Sequence, residues 1–320
     1  MRPGGTAAGP GMPKIFLLII FFLFWPEILP AAEGDRHRIY IDEELQMELA
    51  DHLFKEGDYY RAITEYKRFL FFFPQSGRAE EALWKIAKSY FNGQKWDETL
   101  SACDDWLKKF PASSQAPEAY FLKGLAFVEK KDFPQARYFL QKAQEYSPGT
   151  ALADEAQFQI ARTYVKEERW REAADEFRKI HKNSKLYPKG DYWAKGLDRI
   201  HDIPQKNPAA AGVLAAILPG AGHVYCERYR DAAIAFLLNG AFIWGMIESF
   251  QHDNNVVGGI LTFFELGWYS GNIYSAVASA HKYNKKERQQ YLDEMETGSN
   301  LSAGFSFRGE TPVFFLKYVF

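Results

Sequence analysis

This sequence has few residues arranged for disulfide bonding, metal binding or catalysis. Only two of its 320 residues are cysteines, Cys103 and Cys226, which lie in regions of different character and are expected to be separate thiols. The seven histidines are scattered without a metal-ligand spacing such as HExxH, so neither a metal nor a cofactor is expected. Walker A, GxSxG and other nucleophile-plus-base spacings are also missing, which argues against an enzyme.

The chain also has no large excess of positive or negative charge. The formal net charge is −2, which argues against nucleic acid as the main partner. Aromatic residues, in contrast, make up 17% of the chain. They are enriched in a repeated segment and in two apolar blocks that a soluble scaffold would not need, so two parts of different character are predicted.

The repeated segment, residues 45–200, contains one pattern four times at a step of 37 residues. Each copy has a small or hydroxyl-bearing residue, an aromatic residue three positions before it and, in three copies, a proline twelve positions after it. These residues are Ala62, Thr99, Ala136 and Ala173; Tyr59, Trp96, Phe133 and Trp170; and Pro74, Pro111 and Pro148. A turn divides each copy into two apolar-periodic runs, which predicts two helices ended by a proline.

These positions resemble the tetratricopeptide repeat, whose usual length is about 34 residues. The segment is most similar to the bacterial periplasmic branch, the outer-membrane assembly lipoproteins (BamD-like) and the Tol-Pal-associated proteins, with FPxS between units at residues 73–76 and 110–113. The resemblance implies a solenoid of helix pairs that binds a protein or peptide. The aromatic residues, small residues and prolines of the repeats are interpreted as the repeat core, and residues off that pattern as groove candidates. The groove candidates are Tyr60, Arg61, Lys88, Asn92 and Arg162.

Residues 1–32 have the composition of a secretory signal peptide. Arg2 and Lys14 precede an apolar run at residues 15–25, and small residues follow it at a position suited to cleavage. The run is shorter than the roughly 20 residues that span a bilayer, so cleavage is expected. No cysteine follows it, so an N-terminal lipid like that of the assembly lipoproteins is not expected.

After a polar linker at residues 201–208, residues 209–284 are predicted to form a membrane domain with two or three apolar helices. Two runs within it, 232–247 and 256–280, approach the length that spans a bilayer. The alternative is a helical hairpin in a soluble protein. Basic residues at both outer ends of the pair favour three crossings, the first through residues 209–225, with a re-entrant segment as the other arrangement.

The stretch LPGAGHVYCERYRDA precedes the two apolar runs and resembles the PGxGQxYxG-type element of bacterial membrane hairpins. His223 replaces the common glutamine of that element, and Glu227 replaces its usual glycine. The resemblance implies membrane embedding, with glycines that permit a tight re-entrant turn. The matching residues are Pro219, Gly220, Gly222, Tyr225 and Arg228.

Three polar residues, Asn239, Glu265 and Asn272, interrupt the apolar runs. Counted from the turn between the runs, Asn239 and Glu265 are expected at one depth, so Glu265 is predicted to face protein within reach of Asn239. Small residues recur at every fourth position on the other side of the second run. They would let residues 209–218 or a second copy of the chain approach closely. These small residues are Gly267, Gly271, Ser275 and Ser279.

The tail divides into two parts. Residues 285–298 are predicted to be a charged helix that continues the last apolar run. Residues 299–320 alternate between apolar and polar on both sides of a turn, which predicts a β-hairpin. The expected fold class is therefore all-α: a tetratricopeptide-type α-solenoid followed by a transmembrane helical hairpin, with a short C-terminal β-hairpin.

Two functions are compatible with these predictions. The first is a membrane-anchored, non-catalytic scaffold of the bacterial cell envelope, in the inner membrane, whose periplasmic repeats bind an envelope protein or peptide. Its other expected partners are the lipid bilayer and a second copy of the chain. The alternative is a membrane enzyme or transporter centred on Pro219–Tyr229, with His223, Cys226 and Glu265 as active groups. The missing catalytic spacings favour the scaffold.

Overall fold

Four helix pairs stack one after another in the first half of the protein. The computed structural model describes residues 42–308 and 311–318, so the predicted signal peptide lies outside the described residues. Each helix of the four pairs packs on the next one along the chain. The predicted solenoid, called the array below, is confirmed. Its helices are α1 (Glu43–Lys55), α2 (Tyr59–Phe72), α3 (Ala79–Asn92), α4 (Trp96–Lys109), α5 (Ala116–Glu129), α6 (Phe133–Tyr146), α7 (Ala151–Lys166) and α8 (Trp170–Arg178).

The core of the array lies around the small residue of each repeat. The buried residues are Ala62, Thr99, Ala136 and Ala173 and, four positions later, Tyr66, Cys103, Leu140 and Phe177. The aromatic residues that begin the second helices are half-buried and pack on the preceding helix, as the Trp96 and Phe91 rings do at 5.4 Å. The repeat prolines, predicted as core, are exposed, because they terminate the second helices and fill no interior space. These prolines are Pro74, Pro111 and Pro148.

The turn inside each pair has one residue with a left-handed backbone. These residues are Gly57, Gln94, Lys131 and Glu168, with φ of 83°, 57°, 61° and 57°. In the second repeat the glycine of the turn, Gly93, lies one position too early to adopt this conformation, and its φ is −79°. Because side chains disfavour this region and glycine does not, three of the four turns are strained.

Replacing Lys131 with glycine is therefore expected to stabilise the array. The expected gain is about 0.5–1 kcal/mol, because the left-handed strain disappears while the unfolded chain gains some freedom. Thermal unfolding of the full-length protein would measure it. The matched control is Glu129→Gly in the last turn of α5, which should lower stability. A loss of stability in Lys131→Gly would contradict the interpretation.

Consecutive pairs are tied by a serine and a glutamate that lie 33 residues apart. The Ser113 hydroxyl donates to Glu80 Oε1 at 2.5 Å, and Ser76 makes the same bond to Glu43. The Ser113 oxygen also accepts the Gln115 N–H at 3.1 Å, and so helps to start the next helix. The serine of each FPxS stretch therefore fixes one pair on the preceding pair.

The array continues beyond its fourth pair. α9 (Tyr187–Asp198) packs on α8 and also on the end of α13 (Asn255–Asn300), a helix of 46 residues. Met295 of α13 is 3% exposed and belongs to the last core cluster of the array. The Tyr291 hydroxyl donates to the Gly196 carbonyl of α9 at 2.9 Å. The end of α13 therefore supplies the last helix of the array.

A short connection leads from α9 to the apolar helices. It contains a 3-10 turn at Ile200–Asp202, and its Lys206 N–H donates to the Asn284 side-chain oxygen at 2.7 Å. The Asn284 amide in turn donates to the Lys206 carbonyl at 2.9 Å. These bonds hold the expected linker against the middle of α13. The neighbourhood of Asn284 is called the array-side end of the apolar helices below.

Three more helices lie in the described residues: α10 (Pro208–Ile217), α11 (Ala221–Tyr225) and α12 (Tyr229–Gln251). Of these, α12 packs along α13. Within the part of the chain that the structure describes, α12 alone is long and apolar enough to cross a membrane. Its mean hydropathy is 1.5, and only 11% of its apolar stretch is buried. After α13, strands β1 (Leu301–Arg308) and β2 (Thr311–Tyr318) pair in antiparallel register.

Helices α10 and α11 form a short hairpin that packs on α13. The N–H of Asn207, which precedes α10, donates to the hydroxyl of Tyr225, the last residue of α11, at 2.9 Å. The other end of α10 lies beside the first half of α13, away from Asn284. There the Tyr269 hydroxyl donates to the Ala216 carbonyl at 3.0 Å. Both ends of the pair therefore lie at the array-side end. With ten residues, α10 is shorter than the roughly 20 residues that span a bilayer, so residues 209–225 do not form one spanning helix. The number of crossings stays a prediction.

Candidate functional site

The first helices of the repeats line the inner side of the array. Contacts between α3 and α5, and between α5 and α7, show that these helices lie close together, as they do on the inner side of a curved solenoid. Lys88 and Asn92 both lie on α3, and Asn92 is exposed. The Lys88 ammonium lies 5.7 Å from the centre of the Trp84 ring. Two of the five groove candidates thus belong to one surface, called the inner face.

The other three candidates lie elsewhere. Tyr60 and Arg61 begin α2, a second helix; Tyr60 is 61% exposed and Arg61 pairs with Asp58 at 3.4 Å. Arg162 lies on α7, but its guanidinium is 3.6 Å from Glu296 of α13. The end of α13 therefore faces this arginine, and the five candidates do not form one site.

Asp51 ties the first two pairs together on α1. Its Oδ1 accepts a hydrogen bond from the Tyr66 hydroxyl at 2.5 Å and one from the Lys85 ammonium at 3.0 Å. Burial alone would raise the pKa of Asp51, but these two hydrogen bonds and the charge of Lys85 hold it below its ordinary value of 3.8. The carboxylate is therefore ionised at neutral pH and has a structural role.

The glycines of the motif before α12 permit two close contacts. Gly220 has φ of 89°, and a Cβ there would lie 2.4 Å from the Ala232 carbonyl oxygen. A Cβ on Gly222 would lie 2.1 Å from the Ala211 carbonyl oxygen and 2.7 Å from the Ala276 Cβ. Pro219 precedes this turn and is half-buried. Only glycine allows α11 to pack this closely on α10 and α13.

The polar residues of the motif bind α13. His223 Nε2 lies 3.0 Å from the Ser275 hydroxyl, and Arg228 donates to the Ser279 hydroxyl at 3.3 Å. The Cys226 thiol is buried, 3.8 Å from the Ala276 carbonyl. No hydrogen bond joins any two of His223, Cys226 and Glu265 in the described residues. The groups of the enzyme or transporter alternative are therefore not assembled into one site.

The polar residues inside the apolar helices are buried without the predicted bond. Glu265 faces protein and is 7% exposed, but neither of its carboxylate oxygens has a hydrogen-bond partner. The Asn239 amide instead donates to the Ala235 carbonyl of its own helix at 2.6 Å. Both polar atoms of the Asn272 side chain are also unpartnered. The Asn239 side-chain oxygen is also buried without a partner, so no hydrogen bond joins Asn239 to Glu265.

The predicted stripe of small residues has two parts. Ser275 and Ser279 contact the motif, as described above. Gly267 and Gly271 make no close helix contact, since a Cβ at either would meet no atom within 4 Å. The close approach of α10 to α13 occurs at Gly212, where a Cβ would lie 2.9 Å from a Val277 methyl. The two glycines therefore border open space.

Several important residues were not predicted. The bond between Ser113 and Glu80 has a signal in the sequence, because the same two residue types recur at the same spacing in the first repeat. Met295 and Asn284 have no comparable signal, since their contacts join segments that are far apart in the chain.

Stacked helix pairs at a constant 37-residue step, with small residues where the helices meet, define an array of the tetratricopeptide type. Residues 46–206, half of the chain, match the YfiO family, described as "Outer membrane lipoprotein", and the chain belongs to this family. The match ends before α10, so the apolar helices lie outside it.

Among curated proteins, the chain is similar to the outer membrane protein assembly factor BamD of Xylella fastidiosa, with 27% identity over 74 residues. The match covers 23% of this chain and about a quarter of that relative's length. Among solved structures, MamA from Desulfovibrio magneticus RS-1 has 22% identity, covers 43% of this chain and 73% of its own, with a TM-score of 0.37. A tetratricopeptide repeat protein from Parabacteroides merdae has 15% identity, coverage of 79% and 98%, and a TM-score of 0.41.

Proposed function

We propose that this protein is a membrane-anchored, non-catalytic scaffold of the bacterial cell envelope, and that the inner face of its array binds an envelope protein or peptide. Membership of the YfiO family supports the envelope location, and the name of the BamD relative, an assembly factor, supports a role in protein interaction. The observation that carries the proposal is the continuity of α13, which belongs both to the array and to the apolar helices.

The first half of α13 and the adjacent α12 expose large apolar side chains. Phe263 is 74% exposed and Leu266 is 66% exposed on α13, and Trp244 is 69% exposed on α12. Soluble monomers rarely expose contiguous apolar surface of this kind, and a bilayer would cover it. Met295, near the end of the same helix, lies in the core of the array, so one rigid helix would connect the lipid to the scaffold.

We place the array-side end at the periplasmic surface of the inner membrane. This end carries Arg228, Lys282 and Lys286, which the positive-inside rule alone would put in the cytoplasm. The predicted signal peptide and the envelope family favour the periplasm. The basic residues would then contact the phosphates of the outer leaflet. In this arrangement the inner face is open to soluble and membrane-bound envelope proteins.

A photo-crosslinking amino acid on the inner face would test the scaffold function in cells that express the full chain. At Lys88 or Asn92 it is expected to capture a defined envelope protein, and at the exposed Lys108 of α4 it is not. Lys88→Glu should weaken that capture by about tenfold, because a reversed charge in an interface costs more than 1 kcal/mol. Equal capture from Lys108, or capture of cytoplasmic proteins alone, would overturn the proposal.

A further inference from the structure

A groove of about 540 Å³ lies beside α11, between α12 and α13. Arg228, Asp231 and Lys282 line it at the array-side end, and Leu238 and Trp268 line the other end. The two ends are about 15–21 Å apart, judging from the helical rise between these residues. The groove is therefore charged at one end and apolar at the other, which matches the chemistry of an amphiphile.

Between these ends the lining includes buried polar atoms without partners. His223 and Asn272 both line the groove and are 2% and 6% exposed. His223 Nδ1 and both polar atoms of the Asn272 side chain have no hydrogen-bond partner. Because an unpartnered buried polar group costs about 1–3 kcal/mol, a ligand with oxygen atoms at this level would stabilise the site.

The apolar half of the groove has an open wall. Gly267 and Gly271 line it, and a Cβ at either position would meet nothing within 4 Å. Trp268 lies between these glycines in the sequence and is 51% exposed. The space beside two glycines and an indole is apolar and lies on helices whose outer surfaces are apolar, so a hydrocarbon chain suits it.

The charges at the mouth favour an anion. Arg228 is paired with Asp231 at 2.5 Å, so one positive and one negative charge offset each other. Lys282 is exposed at the same end and adds a positive charge. A neighbouring depression shares Arg228 and Lys282 and adds Lys286, Glu227 and Glu287. The groove itself therefore has a net positive mouth.

We propose that this groove holds one anionic phospholipid. Its phosphate lies at Arg228 and Lys282, its ester oxygens accept hydrogen bonds at the level of His223 and Asn272, and one acyl chain lies along Gly267 and Gly271. The inference rests on the proposed membrane location. It gives acceptors to two buried donors that have none in the protein alone, His223 Nδ1 and Asn272 Nδ2, which a second copy of the chain on the same glycines would not explain.

Native mass spectrometry of the full-length protein, released from detergent after addition of phosphatidylglycerol or phosphatidylcholine, would test this site. One phosphatidylglycerol is expected to be retained at least tenfold better than phosphatidylcholine. Lys282→Gln should remove most of this preference, and Gly271→Leu should abolish retention of either lipid by filling the groove. The matched controls are Lys285→Gln, outside the groove, and Gly240→Leu on α12, where a Cβ also meets nothing within 4 Å. Both should bind as the unchanged protein does.

The outcomes separate this inference from the proposed function. Alkaline carbonate extraction of membranes from cells that express the full chain tests the anchor separately, because it releases proteins that are not embedded in the bilayer. If the protein stays in the membrane but the two lipids are retained equally, the lipid site is wrong and the anchor stands. If carbonate releases the protein, both are wrong. Competition by millimolar inorganic phosphate would show a simple anion site and overturn the inference. A dimer in the unchanged protein that Gly271→Leu converts to monomer would assign the glycines to a second copy, with the same consequence.

Discussion

Replacing Met295 with aspartate is expected to detach the end of α13 from the array. Met295 is 3% exposed, and its methyl group would lie 2.3 Å from a Cβ on Gly196, so the two helices are in close contact. A carboxylate there would lose the apolar contact and would be buried without a partner. The expected loss is about 4 kcal/mol in the free energy that holds α9 in place.

Hydrogen exchange of the full-length protein would measure this loss locally. Amides of α9 should lose most of their protection in Met295→Asp, whereas those of α3 and α4 should keep it, because an array of repeats is stabilised mainly by contacts between neighbours. The matched control is Thr297→Asp, two residues further on the exposed side of the same helix. Unchanged protection of α9 in Met295→Asp would show that α13 is not part of the array.

Replacing Gly222 with valine is expected to displace α11 from α10 and α13. A Cβ at this position would lie 2.1 Å from a backbone oxygen of α10, and backbone cannot move aside as a flexible side chain can. Overpacking of this kind costs about 3 kcal/mol or more. Helix α11 should therefore separate from α10 and α13, and Cys226, which is 2% exposed, should become accessible.

The rate at which a maleimide modifies Cys226 reports this displacement. It should rise at least tenfold in Gly222→Val and remain unchanged in Gly240→Val, whose Cβ meets no neighbour within 4 Å. The second thiol should contribute little, because burial raises the pKa of Cys103 to about 12. An equally slow reaction in both variants would mean that the close contact at Gly222 does not hold α11 in place.

The array could be predicted because the residue pattern that specifies it is short and recurs at a fixed step. Ala62 and its counterparts recur at a fixed step, and each is buried for the same reason, the close approach of two helices. The same regularity could have revealed the bond between Ser113 and Glu80. Recurrence alone does not show burial, because the repeat prolines end helices and recur at the surface.

The apolar helices were predicted less well. Hydropathy indicates how long an apolar helix is and how far along it a residue lies, but not which way the helix is rotated about its axis. Asn239 and Glu265 are both buried, as expected from their positions, yet the amide bonds the backbone of its own helix. The break between α10 and α11 was not predicted, because composition does not distinguish a short apolar helix that turns back from a longer one. The contact of Met295 with α9 joins residues about 100 positions apart, beyond the reach of any local pattern.

Two stretches of chain, the segment held at Asn284 and α13 itself, connect the array to the apolar helices. With two attachments the array cannot swivel as a domain on a single tether would. It can only tilt together with α13, a helix of 46 residues that is about 70 Å long. In the proposed membrane location, a partner that pulls sideways on the array would therefore tilt α13, and the pull would reach the lipids around it.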